Sequence, residues 1–247
     1  MANQILANAR LWMGAYDLSG KLNRAAVDYS AELHDDTALS ATARSRLAGL
    51  VNAALQAEGY WEAGTAMPDD MADGYLALAD VPVSACAVAG AAEGSRAFTF
   101  QAALGEFQRG AQIGEIFKFS AGAEGSGGKP MVRGLVLHNA TETGSGNATG
   151  YQLGALGATQ HLFAALHVLS LSGTDTPTLT VKIQSDDNGS FTSATDRITF
   201  AAKTAVGYEW ASVAGAVTDD YWRANFTLSG TNPSFAFVVV AGIATVP

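Results

Sequence analysis

Four histidines, one cysteine and a few oxygen-rich turns are the residues of this chain whose types could do chemistry. Histidine transfers protons near neutrality or holds a transition metal, the latter only where several ligands converge. His34, His138, His161 and His167 are scattered. The last two, six apart on one expected strand, share a face but stand roughly 20 Å apart by strand rise, too far for one ion. They read as structural or surface histidines. Cys86 is the single cysteine, which excludes an internal disulfide and any multi-cysteine metal site. In "VPVSACAVAG" it reads as a small buried apolar residue. "SDDNGSFTSATD" offers oxygens that could hold Ca²⁺, but Ser185 and Asp187 fall in the wrong phase for a calcium loop and no Glu closes it, so it reads as a turn.

The glycine-rich stretches fail as phosphate cradles. In "EGSGGKP" the first glycine of a P-loop would fall at Ala123, and Pro130 follows Lys129 where Ser or Thr is needed. "TGSGNATG" places its third glycine at Gly150, one residue late for a dinucleotide fingerprint. There is no G-x-S-x-G elbow, no H-E-x-x-H and no pair of acids in an apolar setting. Trp61, Trp210, Trp222 and Tyr221 could form a sugar platform, but aromatic residues on strands are usually core. The expectation is a chain that is not an enzyme and carries no cofactor and no metal.

The elements that carry these residues are mainly β. Of the 247 residues, 48% are hydrophobic and 15% charged, ample for a core and suited to two domains. Val27, Tyr29, Ala31 and Leu33 alternate with Asp28, Ser30 and Glu32, the pattern of a half-buried strand. Val51, Ala53, Leu55, Ala57 and Trp61 repeat it, with Asn52, Gln56 and Glu58 on the other face. Further strands are expected over residues 81–88, 97–107 and 114–124. "MPDDMADGYLALADVP" breaks the period: Met71, Tyr75 and Leu78 stand at helical spacing behind Pro68, with Asp69 and Asp70 suited to the positive helix end. It predicts one helix packed over an antiparallel sheet.

"EGSGGKP" has the composition of an inter-domain hinge. Beyond it, strands are expected over residues 131–139, 160–171, 178–184, 197–202, 208–214, 221–228 and 234–243, separated in places by "SGTDTP", "DDNGS" and "SGTNP". About seven short strands at this spacing indicate an antiparallel β-sandwich, with Leu179, Val181, Ile183, Trp222, Ala224, Phe226 and Leu228 facing its core. The predicted organisation is residues 1–125 as a β domain with one helix, 126–130 as a Gly/Ser hinge and 131–247 as the sandwich.

Net charge is −9. Residues 1–125 hold eight basic against fifteen acidic side chains, a net −7, and residues 126–247 hold six against eight, a net −2. A surface of that sign disfavours tight binding to phosphate backbones. The N-terminus has neither a basic stretch followed by an apolar core nor a membrane-length apolar run, so a soluble protein made in the cytoplasm is expected, with no membrane partner. Without a secretion signal, the N-x-[ST] triplets at Asn139, Asn147, Asn188 and Asn225 are chance matches.

The polar stretch from residue 35 to residue 49 is too long for a turn, and unstructured loops beyond about 12–15 residues are usually functional or disordered. Asp35, Asp36, Arg44 and Arg46 outweigh its apolar Leu39 and Leu47. A mixed-charge loop at a sheet edge is suited to reach another copy of the same chain.

"YDLSGKLNRAAVDYSAELHDDTALSATARSRLAGLVNAALQAEGYW", followed by an acidic helix, "VPV" and "GEIFKFSAGAEG", resembles the tube domain of tail tube (major tail) proteins of long-tailed bacteriophages. The D-L-S-G-x-L-N opening, the S-x-E-x-x-D strand end, the R-x-x-L-x-G-L loop exit and the G-Y-W carry the likeness, over roughly residues 1–125. "SATDRITF" and "YWRANFTLSGTNPSF" are similar to second domains of phage structural proteins, with Ala194 where proline is expected. The resemblance implies a virion protein of the phage tail whose copies close into hexameric rings stacked into a tube, with other tail proteins as partners and DNA as non-specific cargo. It implies that residues 35–49 join successive rings, that the sandwich lies outside, and that Asp28, Glu32, Asn52, Gln56, Glu58 and Glu124 line a lumen through which DNA slides. The alternative expectation is a capsid decoration protein or a carbohydrate-binding adhesin.

Overall fold

The structure, a computed structural model, describes residues 8–39 and 42–246, so the first seven residues read above for targeting, Ser40 and Ala41 of the polar loop, and Pro247 lie outside the described residues. The described residues are mainly β with one α-helix, and every strand pair among them is antiparallel. No helix among the described residues is long and apolar enough to cross a membrane.

The first half is a curved sheet. Its strands are β1 (Arg10–Met13), β2 (Tyr16–Asp17), β3 (Leu22–Asp35), β4 (Arg46–Tyr60), β5 (Val81–Cys86), β6 (Arg96–Gly110) and β7 (Lys118–Gly125), in the spatial order β2-β1-β5-β6-β7-β4-β3. Alternation sends Leu55, Ala57, Phe100, Leu104, Phe119 and Ala121 to one buried face. Helix α1 (Pro68–Tyr75) lies over that face, burying Met71, Ala72 and Tyr75. It starts at Pro68, where the missing N–H costs nothing, with Asp69 and Asp70 in its first turn. Leu78, expected on its apolar stripe, falls past the helix end and is exposed. Gly59 allows a close approach: a Cβ there would stand 2.2 Å from the Lys21 carbonyl oxygen, beside which Tyr60 N–H donates to that oxygen at 2.8 Å.

The second half follows as β8 (Val132–Glu142), β9 (Gly146–Asn147), β10 (Tyr151–Gln152), β11 (Gln160–Asp186), β12 (Thr195–Thr199), β13 (Gly207–Ala214) and β14 (Tyr221–Thr245). The segments expected as separate strands on either side of "SGTDTP" and of "SGTNP" are single long strands bent at a corner. The β11–β14 ladder shifts register between Val168 and Thr178, and Gly173 and Gly230 adopt positive φ there. A Cβ on Gly230 would meet Pro177 Cα at 2.9 Å. The bend folds the two strands over themselves into two layers, as strands do when they pass between sheets at a sandwich corner. Leu162, Leu166, Val181, Ile183, Trp222 and Phe237 all enter the enclosed core.

Residues 126–130 are not a freestanding linker. Ser126 N–H donates to the Gln101 carbonyl at 2.9 Å, and Ser126 Oγ accepts from Asp80 N–H at 2.9 Å. Beside this link β8 pairs with β6 from Arg96 to Thr99, so one sheet passes from the first half into β14 and β11. Trp12, Cys86, Ala97, Val136, Val238 and Val240 form a third apolar cluster shared by both halves.

A buried polar relay crosses the same boundary. His167 on β11 is fully buried, its Nδ1 is 2.7 Å from the Gly14 carbonyl, and its Nε2 is 2.8 Å from Ser84 Oγ. A carbonyl only accepts, so Nδ1 carries the proton and Nε2 accepts from the Ser84 hydroxyl. Ser84 Oγ stands 2.8 Å from Thr99 Oγ1, which lies 3.0 Å from the Val83 carbonyl. Burial pushes the His167 pKa down to about 4, against the raising influence of the Gly14 carbonyl and Asp17. Unfolded, the imidazole titrates near 6.5, so the unfolded chain binds the proton first as pH falls. The relay's full contribution is therefore present above about pH 6.5 and is lost as pH falls towards 4, a total of about 3 kcal/mol. Urea denaturation of the parent should show a falling midpoint across that window, and His167→Asn should start less stable at pH 7 and fall less steeply. Equal pH slopes would refute the assignment.

Candidate functional site

Within the curved sheet, β3-β4-β7-β6 form a four-stranded unit whose face away from the core is polar. One rung runs Asp28–Ala54–Glu124–Ala103, and residues directly opposite one another share a face. Asn52, Gln56 and Glu58 alternate with buried Ala53, Leu55 and Ala57, so all three join Asp28 and Glu124 on that face. Glu32 continues it two rungs beyond Ser30, since the register shift between Ala31 and Leu33 is taken up on β4. All six residues expected on one polar face are thus brought together. Asn52 Nδ2 donates to Glu124 Oε2 at 2.8 Å, Arg24 Nη1 to Glu58 Oε1 at 2.8 Å, and Glu32 Oε2 lies 3.4 Å from His34 Nε2.

The face also carries charged and polar side chains beyond those six. Arg24, opposite Glu58, and Lys118, opposite Tyr60, add positive charge. Glu106 and Gln108, opposite Gly122 and Ser120, are brought to it by the register shift after Leu104. The face is therefore acidic but mixed. Alternation marks Arg24 and Lys118, whereas the bulge that re-phases Glu106 leaves no mark except Gly105.

Both lateral edges of this unit are open. Among the described residues, β3 pairs with β4 alone. On the side of β6 away from β7, pairing with β5 stops at Ala102 and only the Leu76–Leu104 bridge follows, so among the described residues 106–110 pair on one side alone.

The loop expected over residues 35–49 is shorter, because the β3–β4 ladder continues to the pair Asp35–Arg46. Asp35 and Arg46 are therefore strand residues, and Asp36 and Arg44 lie beyond the ladder. Thr37 staples its ends: its Oγ1 accepts from Ser45 N–H at 2.9 Å and its N–H donates to Asp35 Oδ1 at 3.0 Å. Hydrogen bonds from the Thr37 hydroxyl and N–H hold the Asp35 carboxyl below the usual carboxylate range. Among the described residues, none of Asp35, Asp36, Arg44 and Arg46 forms an ion pair within its own chain.

What the sequence reads as a loop is thus the upper part of a projecting two-stranded arm. No described residue from Asp28 to Asn52 is buried. The core-side face of the sheet continues along it as Tyr29, Leu33 and Val51, each about half exposed at 48%, 58% and 51%. An isolated two-stranded ribbon with apolar residues open to water is marginal by itself. No group of three or more His, Cys, Asp or Glu side chains placed to hold a metal occurs among the described residues.

No family model and no curated protein matches the chain. Solved structures similar to it include a chain in the virion of a native gene transfer agent particle, at 13% identity and TM-score 0.39, covering 52% of this chain and 98% of that one. A chain in the tail of the empty gene transfer agent particle, refined with C6 symmetry, is 15% identical with TM-score 0.39, covering 51% and 96%. The SPP1 Dit protein, described as a paradigm of the hub adsorption apparatus in phages infecting Gram-positive bacteria, is 12% identical with TM-score 0.36, covering 96% and 99%. At such identities and TM-scores, none of these proteins lends its role to this chain.

Proposed function

We propose that this protein is a structural subunit of a phage tail tube, whose copies complete one another's sheets into rings that stack around a DNA channel. The observation that carries this reading is the four-stranded β3-β4-β7-β6 unit with one polar face and two open edges. Exposed edges of this length are a liability that soluble proteins cover or pair. An even number of antiparallel strands makes the pairing natural: β3 and β6 run in opposite directions, so rotation about a common axis lays β3 of one copy antiparallel to β6 of the next.

Repetition of that contact gives a closed wall whose inner surface is the polar face. Asp28, Glu32, Asn52, Gln56, Glu58 and Glu124 then line the lumen, and their net negative sign keeps DNA from sticking. The core side, with α1 and the sandwich, faces outward, and the tie through residues 126–130 and the shared cluster holds the sandwich in fixed orientation on the wall. The arm, with Asp35, Asp36, Arg44 and Arg46, reaches the next ring. The sequence resemblance described above supplies the hexameric count, the tail location in the virion and the company of other tail proteins.

Purified protein at high concentration should form rings or tubes in sedimentation and electron microscopy. A monomer or trimer with measurable glycan affinity would instead favour an adhesin or capsid decoration protein.

A further inference from the structure

The end of the four-stranded unit opposite the arm carries a second uncovered apolar feature. In the turn between β6 and β7, residues 111–117, Ile113 is 108% exposed and Ile116 66%. The turn is firmly seated: Phe117 packs edge-on against Trp61 with centroids 5.1 Å apart, Trp61 N–H donates to the Phe117 carbonyl at 3.1 Å, and Trp61 Nε1–H donates to Asp69 at 3.1 Å. Glu115 N–H closes the turn onto the Gln112 carbonyl at 3.0 Å. Two large apolar side chains held out by a fixed base are built like an interface anchor, with little ordering left to do on binding.

The register places this turn and the arm apart. From the rung Asp28–Ala54–Glu124–Ala103, the arm rises one way to the pair Asp35–Arg46, while the turn lies beyond the pair Gly110–Lys118 in the other direction. Within one chain the two cannot meet. Between copies displaced along the strands they can, and a contact joining two different patches repeats without closing.

We propose that the 111–117 turn is the stacking knob of this subunit, with Ile113 and Ile116 of one copy seated on the arm face formed by Tyr29, Leu33 and Val51 of the copy in the next ring. The inference rests on the ring reading above and names the surface that receives the arm. Charge agrees with it. Glu115 lies between the two isoleucines, Arg46 lies on the arm face beside Leu33, and among the described residues neither forms an ion pair in its own chain. Apposed anchors give the affinity, and an opposite-charge pair at the rim fixes the register.

Cysteine trapping tests it, since the native Cys86 is buried and does not compete. The double variant Leu33→Cys with Ile113→Cys, mildly oxidised in the assembled state, should give a ladder of disulfide-linked multimers about 10-fold above a control pairing Ile113→Cys with Val206→Cys, because docking raises the local thiol concentration. Charge reversal supplies the second arm: Glu115→Arg and Arg46→Glu should each reduce tubes to unstacked rings, and the double variant should restore them. Parent tubes with no ladder above control, or with no rescue in the double variant, overturn the knob and leave the ring reading standing. A parent that forms no rings overturns both.

Discussion

Replacing residues 32–50 by a two-residue Asn-Gly turn is expected to give a chain that folds normally, still closes into rings and no longer stacks them into tubes. None of the segment's described residues is buried, and Ala31 and Val51 stand opposite each other, so a type I′ turn joins the cut ends in register. Thermal stability should change by less than about 1 kcal/mol, the usual range for surface changes away from the core. Assembly should change far more. The excision removes Leu33, Leu39, Leu47 and Leu50, all exposed in the single chain. If a subunit contact buries even half of that surface, it loses about 5 kcal/mol, or over a thousandfold in affinity. Sedimentation velocity would show the parent as large assemblies and the trimmed chain as single rings that do not stack. Undiminished tube formation would remove the arm from the account.

The second large effect concerns the polar face. Changing Asp28, Glu32 and Glu124 to Lys reverses three side chains on one surface and leaves the Arg24–Glu58 pair intact. Asp28 and Glu124 are separated by Ala54, about 10 Å apart across two strand spacings, so the new lysines do not crowd one another. Repeated around a ring and along a tube, the change turns a repelling lumen into a polycation. Assembled variant tubes should retain duplex DNA at about 50 mM salt and release it steeply as salt rises, the behaviour of counterion-linked binding. Parent tubes should retain no DNA under the same conditions. Equal retention by parent and variant would place those carboxylates elsewhere than on the channel wall.

Period-two alternation made most strands legible, because one face of each must be buried. It places Ala53, Leu55 and Ala57 of β4 on the buried face. The helix was legible from Pro68 and the spacing of Met71 and Tyr75. Alternation fails where neither face is buried: residues 46–50 lie in the exposed arm, no burial pattern marks them as strand, and the hairpin therefore reads as a loop. It fails again at the corners of β11 and β14, where Gly173 and Gly230 let a strand continue through what composition reads as a turn. Composition is silent on the geometry of "EGSGGKP" for a related reason. Glycines that suit a flexible linker also suit a tight link, and only the Ser126 contacts and the β6–β8 pairing distinguish the two. Nothing local in the sequence marks His167 as the member of a relay with Ser84 and Thr99, which are brought together from distant strands.

The central claim is that the open edges of β3 and β6 are completed by neighbouring copies. Averaged electron micrographs of the assembled protein, viewed down the particle axis, test it most directly. The expected image is a closed ring with a continuous inner wall, each subunit's β3 beside the next subunit's β6 and the sandwiches projecting outward. Isolated particles, or a ring joined through the sandwiches with the β3 and β6 edges facing solvent, would contradict it.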